Sequence, residues 1–210
     1  MTSVDSIKKY SSLELYIKEG LVAMVPVFDN GDKSIIYTNH GKHHEPRSIT
    51  WLVEKIARCY SIDFGELRRQ CGEVLDAKYH IALPITDDLV LLPVKVRRQA
   101  YEPGGTTIGY ISLNPISTVD LPPEGETTWH TVIRFKNGLE LGTLNTIEKV
   151  HERIRDGKKV HSEFAQLFSR SSPYRGLTRQ VLLEVLPNCE CLLKDIFINK
   201  NCLDEPGEKI

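Results

Sequence analysis

The side chains with the most chemistry to offer in this chain are its clustered cations. Arg47 closes a polar stretch, Arg68 and Arg69 are adjacent, Lys95, Arg97 and Arg98 fall together, and Lys149, Arg153, Arg155, Lys158 and Lys159 share one segment. Lysines and arginines set out in this way can neutralise phosphates, and arginine can enter a narrow A·T-rich minor groove, where the negative potential is enhanced. A charge run is also the ordinary dress of a solvated helix or loop. Composition alone leaves the choice between the two open.

Other constellations carry less. His40, His43 and His44 are close enough to ligate a metal, but their spacing does not suit one helix face and no HExxH accompanies them, so they read as exposed loop histidines. Cys189 and Cys191 are two apart, and such residues do not face one another on a helix. Gly104-Gly105 lacks the lysine of a phosphate loop and precedes a strand, where a P-loop opens a helix. No nucleophile elbow, cysteine-nucleophile motif or spaced acidic set is present. The expectation is a protein that is not an enzyme and needs neither cofactor nor metal.

The 210 residues, 40% hydrophobic and 26% charged, have ordinary globular composition, and a chain of this size buries roughly 70% of its unfolded surface without disulfides. Five cysteines without a CxxC pair argue against a secreted disulfide framework or a zinc ribbon and for a reducing cytoplasm. The N-terminal stretch lacks the apolar core of a signal peptide, and no run approaches the ~20 residues that cross a bilayer, so a cytoplasmic protein without a membrane partner is expected. The net charge of −1 hides an asymmetry: residues 134–179 hold ten Lys or Arg against five Asp or Glu, and residues 180–210 hold three against six.

The elements that must position the cations follow from periodicity. LELYIKEG and LVAMVPVF read as strands, with a turn at Asn30-Gly31-Asp32. His40 to Arg47 reads as a polar loop leading to Ser48, a helix N-cap. Ile49, Leu52, Val53, Ile56, Ala57 and Tyr60 form one helical stripe. A second helix starts after Ser61 or Asp63, with Phe64, Leu67, Cys71 and Leu75 inward and Glu66, Arg68, Arg69 and Glu73 outward. HIALPI and LVLLPV form a hairpin about Thr86-Asp87-Asp88, and the proline in each run favours a strand end or an edge.

KVRRQAYEPGGTTIG is a long connection of a kind more often functional than ornamental. YISLNPISTVDL reads as a strand interrupted at Pro115, and TWHTVIRF and LELGTL form a hairpin about Asn137-Gly138. Residues 145–168 read as one long or two short helices, with Gly157 as a possible break. LTRQVLLEVL and CLLKDIF suggest a last helical region before an acidic tail. The fold class expected is α+β: a strand-rich mixed core with two central helices and a helical C-terminal region, divided into a domain over 1–170 and an extension over 171–210.

The order of these segments, and particular residues in them, resembles the competence transcription factor (ComK) family. The likeness rests on Pro46 before the first predicted helix, on Cys59, Arg69 and Cys71-Gly72, and on KYHIALPI, like the family's Lys…Pro-Ile segment. It also rests on Leu91-Leu92-Pro93, on Gly109-Tyr110-Ile111, like the family's Gly-Trp-Ile, and on the Asn-Gly hairpin of FKNGLEL. It runs from about Leu15 to about Phe168, with Val94 where the family has Thr and Tyr110 where it has Trp.

The resemblance implies an oligomeric transcriptional activator, cytoplasmic and nucleoid-associated when bound, that recognises paired A·T-rich boxes largely through the minor groove and helps RNA polymerase engage. Minor-groove readers place cations on loops and wedges, and the sequence offers no helix-turn-helix. A two-box site calls for a symmetric dimer or tetramer. The DNA-binding residues expected are Arg69 first, then Arg97, Arg98 and Arg68, with Lys95, Lys149, Arg153 and Arg155 as phosphate contacts. The alternative is a family member without DNA binding that acts as a protein-interaction regulator. Pairing of the arginines with Glu66, Glu73 or Glu102 would favour that alternative.

Overall fold

The computed structural model describes residues 13–101 and 105–171, with side chains as far as residue 165. The chain divides into two compact units, Met1–Leu167 and Phe168–Ile210. The first is an α+β domain. The helical extension expected over 171–210, the Cys189-Cys191 pair and Glu102 lie outside the described residues.

Among the described residues, nine strands form two antiparallel sheets. β1 (Leu21–Phe28), β2 (Asp32–Thr38), β3 (Gly41–Glu45), β4 (Leu83–Pro84), β5 (Val90–Lys95) and β6 (Ile108–Ser112) make one, in the order β3-β2-β1-β6-β5-β4. β7 (Ile116–Asp120), β8 (Thr131–Phe135) and β9 (Glu140–Thr143) make the other. Both predicted hairpins are present: Leu83 pairs with Leu91 in the first, and Gly138, at φ 84, turns the second. The run broken at Pro115 crosses from one sheet to the other at that point.

Helix α2 (Ile49–Cys59) is capped by Ser48, whose Oγ accepts from Trp51 N, and buries the predicted stripe from Ile49 to Ala57. Tyr60 departs from it. It is the C-cap and is 40% exposed, because the helix ends one residue before the stripe would continue. α3 (Phe64–Leu75) starts at Asp63, whose carboxylate accepts from Glu66 N at 2.8 Å, and buries Leu67 and Cys71, with Phe64 and Leu75 half-buried.

Two segments differ from expectation, and a third settles an open alternative. LELYIK is helical over residues 13–18, here α1. Its apolar residues fit both periods, but Leu13, Tyr16 and Ile17 pack on the core while Leu15 is 48% exposed, the pattern of a helix face and the reverse of an alternating strand. His40 to Arg47 is not a loop throughout: Gly41–Glu45 is edge strand β3, paired with β2 from Thr38↔Gly41 to Ser34↔Glu45. Its polar side chains are those of an edge that discourages further pairing. Residues 147–171 form the single helix α4 (Ile147–Ser171), without a break at Gly157.

Two glycines mark close approaches. Gly157 is the point at which α4 lies on β5, since a Cβ there would come within 2.4 Å of Leu92 Cδ2, and Leu92 is fully buried. Gly109 lies beside β1, and a Cβ there would stand 2.7 Å from the Met24 carbonyl oxygen. That oxygen belongs to a strand and cannot rotate away. Gly109→Ala is therefore expected to destabilise the domain by about 1–3 kcal/mol, read as a lower urea midpoint at unchanged slope; an unchanged midpoint would refute the packing described.

Candidate nucleic-acid interface

The end of β5 is the natural starting point. Lys95 is its last residue; its N–H donates to Asn145 Oδ1 at 2.7 Å, and its carbonyl accepts from Leu144 N and Thr143 Oγ1, each at 2.8 Å. These bonds tie β5 to the connection between β9 and α4. Thr131 Oγ1 donates to the Asn145 carbonyl at 2.8 Å, which holds the same connection from the second sheet. α4 begins two residues later, so Lys149 and Arg153, one helical turn apart and on one face, rise beside the end of β5.

His80 completes the group. It lies in the connection between α3 and β4 at φ 54. His80 is exposed; partial packing around its ring, and then the Arg153, Lys149 and Lys95 charges, hold its pKa below the ordinary histidine value. Lys78 and Tyr79, both exposed, precede it. Further along α4, Lys159 Nζ donates to the Val74 carbonyl at 2.7 Å. That places a cation at the C-terminal end of α3, where the helix dipole favours it.

The structure thus brings together Lys95, Lys149 and Arg153 of the residues expected from the sequence. Lys149 pairs with Glu152 at 2.6 Å and Arg153 with Asp156 at 3.4 Å; Lys149 is half-exposed and Arg153 only 8% exposed. Arg155 and Lys158 are exposed on α4 and make no ion pair among the described residues.

Of the four other expected arginines, Arg68 and Arg69 line one cleft with Lys78, Glu73 and Asp76, and Arg97 and Arg98 line another at the long connection. Arg69 is clamped on the surface of α3: Nε and Nη2 donate to the two Glu66 oxygens at 2.9 and 2.6 Å, and Nη1 to Glu73. The Arg69 bond, with a second from Gln70, holds the Glu66 carboxyl well down, at about 2, and Arg69 is in turn raised. Arg68 is exposed, with its guanidinium over the Phe64 ring at 5.8 Å. Arg98 is exposed, and its one hydrogen bond, to the Thr127 carbonyl, is 3.5 Å long.

Arg97 has become part of the fold. Its Nε donates to the Thr106 carbonyl at 3.1 Å, its Nη2 to the same oxygen and to Asp32 Oδ1 at 3.2 Å, and its guanidinium lies over the Tyr101 ring, which stacks on Phe28. The side chain is 10% exposed. It closes the two ends of the long connection on β2, so the charge expected to face a groove is spent inside.

The histidines of β3 do not gather. His43 Nε2 lies 2.9 Å from Glu19 Oε2 and its ring 4.8 Å from that of Tyr16, while His44 takes the opposite face of the strand. No group of three or more His, Cys, Asp or Glu that could hold a metal occurs among the described residues. Among them, too, no helix is long and apolar enough to cross a membrane.

Sequence reasoning missed His80 and Lys78 as members of a site. The stretch that contains them has no periodicity, and only the tie between Lys95 and Asn145 brings α4 to it. Comparison with protein-family models, with curated proteins and with solved structures finds no match. Arg97→Ala is expected to cost about 1–3 kcal/mol in urea unfolding because it strands a buried acceptor and Asp32, and Arg98→Ala less than about 0.5 kcal/mol. Equal losses would contradict this division of roles.

Proposed function

We propose that the chain is a double-stranded DNA-binding transcriptional regulator of the competence transcription factor type, acting on A·T-rich boxes as a homo-oligomer, a dimer or tetramer, in contact with RNA polymerase. One observation carries the reading. In a chain whose net charge is −1, cations from three separate segments, Lys95, Lys149 and the Lys78–His80 connection, come close to one another, with the largely buried Arg153 beside them. Charge concentrated in this way, on a loop and along one helix flank, suits phosphate contacts on either side of a minor groove.

Of the positions that carry the family resemblance, Cys71, Leu91, Leu92 and Ile111 are buried and Gly109 is fitted against the β1 backbone, so these are packing positions of the core.

A second reading, a protein-interaction regulator without DNA binding, draws on the pairing of Arg69 with Glu66 and Glu73. It and the first make opposite predictions for one titration, which follows anisotropy with a duplex carrying two A·T-rich boxes and with a G·C-rich duplex of equal length as salt rises. DNA binding predicts preference for the boxes and a steep fall in affinity, and Lys149→Ala should reduce the salt slope by about 1. No binding to either duplex at low salt would overturn the reading in favour of the second.

The pH dependence is signed. His80 in the free protein has a lowered pKa and is neutral at pH 8, and a phosphate beside it favours the protonated ring, so binding takes up a proton. Affinity should rise as pH falls from 8 toward 6. His80→Gln should flatten this rise, and an equal rise in the variant would exclude His80 from the interface.

A further inference from the structure

Tyr79 does nothing for the fold. It is 74% exposed, and it makes no hydrogen bond or ring contact among the described residues. The other exposed tyrosines among the described residues are accounted for locally: Tyr101 stacks on Phe28 under Arg97, and Tyr60 caps α2. An aromatic ring held in water forgoes the burial that usually keeps such a residue in a sequence.

Its setting is the second observation. The connection that carries it leaves α3 at Asp76, at φ 50, where Ala77 N donates to the Gly72 carbonyl at 2.9 Å, and it re-enters the core at Ile81 and Ala82, both buried. His80, at φ 54, makes a second left-handed bend immediately after Tyr79. These two bends, with Ile81 and Ala82 as a buried anchor behind the second, leave Tyr79 exposed between them. Lys78 and His80 flank the ring in sequence, Lys95, Lys149 and Arg153 lie within electrostatic reach of His80, and Lys159 is bonded to Val74 just before the connection. Of the acids nearby, Glu152 and Asp156 are occupied by Lys149 and Arg153 and Glu73 by Arg69, while Asp76, at the start of the connection, makes no ion pair among the described residues.

We propose that Tyr79 is an insertion wedge: its ring enters between two base pairs of the bound duplex, partly unstacks that step, and sets the DNA bend, while the surrounding cations hold the phosphates on either side. The proposal rests on the DNA-binding reading above and adds to it that the protein bends the duplex through Tyr79. Apolar side chains inserted between base steps from the minor groove kink the duplex in this manner, and a base stacked on an aromatic ring repays part of the unstacking. The ring is the working part and the hydroxyl is not.

The test uses full-length protein and a duplex with two A·T-rich boxes in which 2-aminopurine replaces adenine at one position at a time, with end-to-end energy transfer on the same duplex reporting the bend. Wild-type protein should raise the 2-aminopurine emission at one step in each box and shorten the end-to-end distance. Tyr79→Phe should do the same. Tyr79→Ala, whose unfolding midpoint should match wild type because the ring is exposed, should leave the emission quenched, relax the bend and bind roughly tenfold or more weakly, the loss that one base–aromatic stack carries. Wild-type binding with every step still stacked, or a Tyr79→Ala complex as bent as wild type, overturns the wedge and leaves DNA binding standing. No binding by the wild-type protein to any duplex overturns both.

Discussion

Everything in the domain is referred to β5. Val90 to Val94 are buried, so the strand is covered on both faces, and each buried Val or Leu contributes about 1.5–3 kcal/mol. Leu92 at its middle receives α4 at Gly157. Its last residue, Lys95, has both backbone groups bound to the segment that launches α4. Pro93 fits because β4 is only two residues long: the proline nitrogen points to the side where no strand follows, and no ladder bond is lost. One strand therefore fixes the sheet, the long helix and the place where their cations meet.

That arrangement sorts the basic residues into two kinds. Arg97 ties a long connection to β2, and Arg134 bridges Asp120 and Glu140 across the three strands of the smaller sheet, each at 2.7 Å. Their charges are matched where they stand, and their work is cross-strand or loop-closing. Lys78, Lys95, Arg155 and Lys158 make no ion pair among the described residues. Lys149 and Arg153 have acidic partners on their own helix, so they contribute to the surface field less than their number suggests. A near-neutral chain can present a positive face in this way, because charges paired elsewhere drop out of the local balance.

Much of the fold is legible wherever one local signal dominates. α2 has a cap and an unambiguous stripe, and the hairpins at Thr86–Asp88 and at Asn137-Gly138 have their turn chemistry on show. The failures are equally physical. LELYIK satisfies two periods at once, and burial of Tyr16 with Leu13 decides for the helix. β3 is a polar edge strand, whose side chains answer to solvent and not to a core. Gly157 looks like a helix breaker until the close approach of Leu92 explains it. At the candidate site the sequence points to arginine, but partners distant in the chain decide which arginines are spent: Asp32 for Arg97, across the sheet, is invisible to any local pattern. The contribution of His80 is hidden for the same reason.

The central claim is that β5, the start of α4 and the α3–β4 connection together present one DNA-binding face. Lysine footprinting of the free protein and of its complex with an A·T-rich duplex tests it most directly. The account predicts that Lys78, Lys95 and Lys149 become protected together while Lys42, on β3 at the far edge of the sheet, keeps its reactivity. Protection of Lys42 with those three lysines unchanged would contradict it.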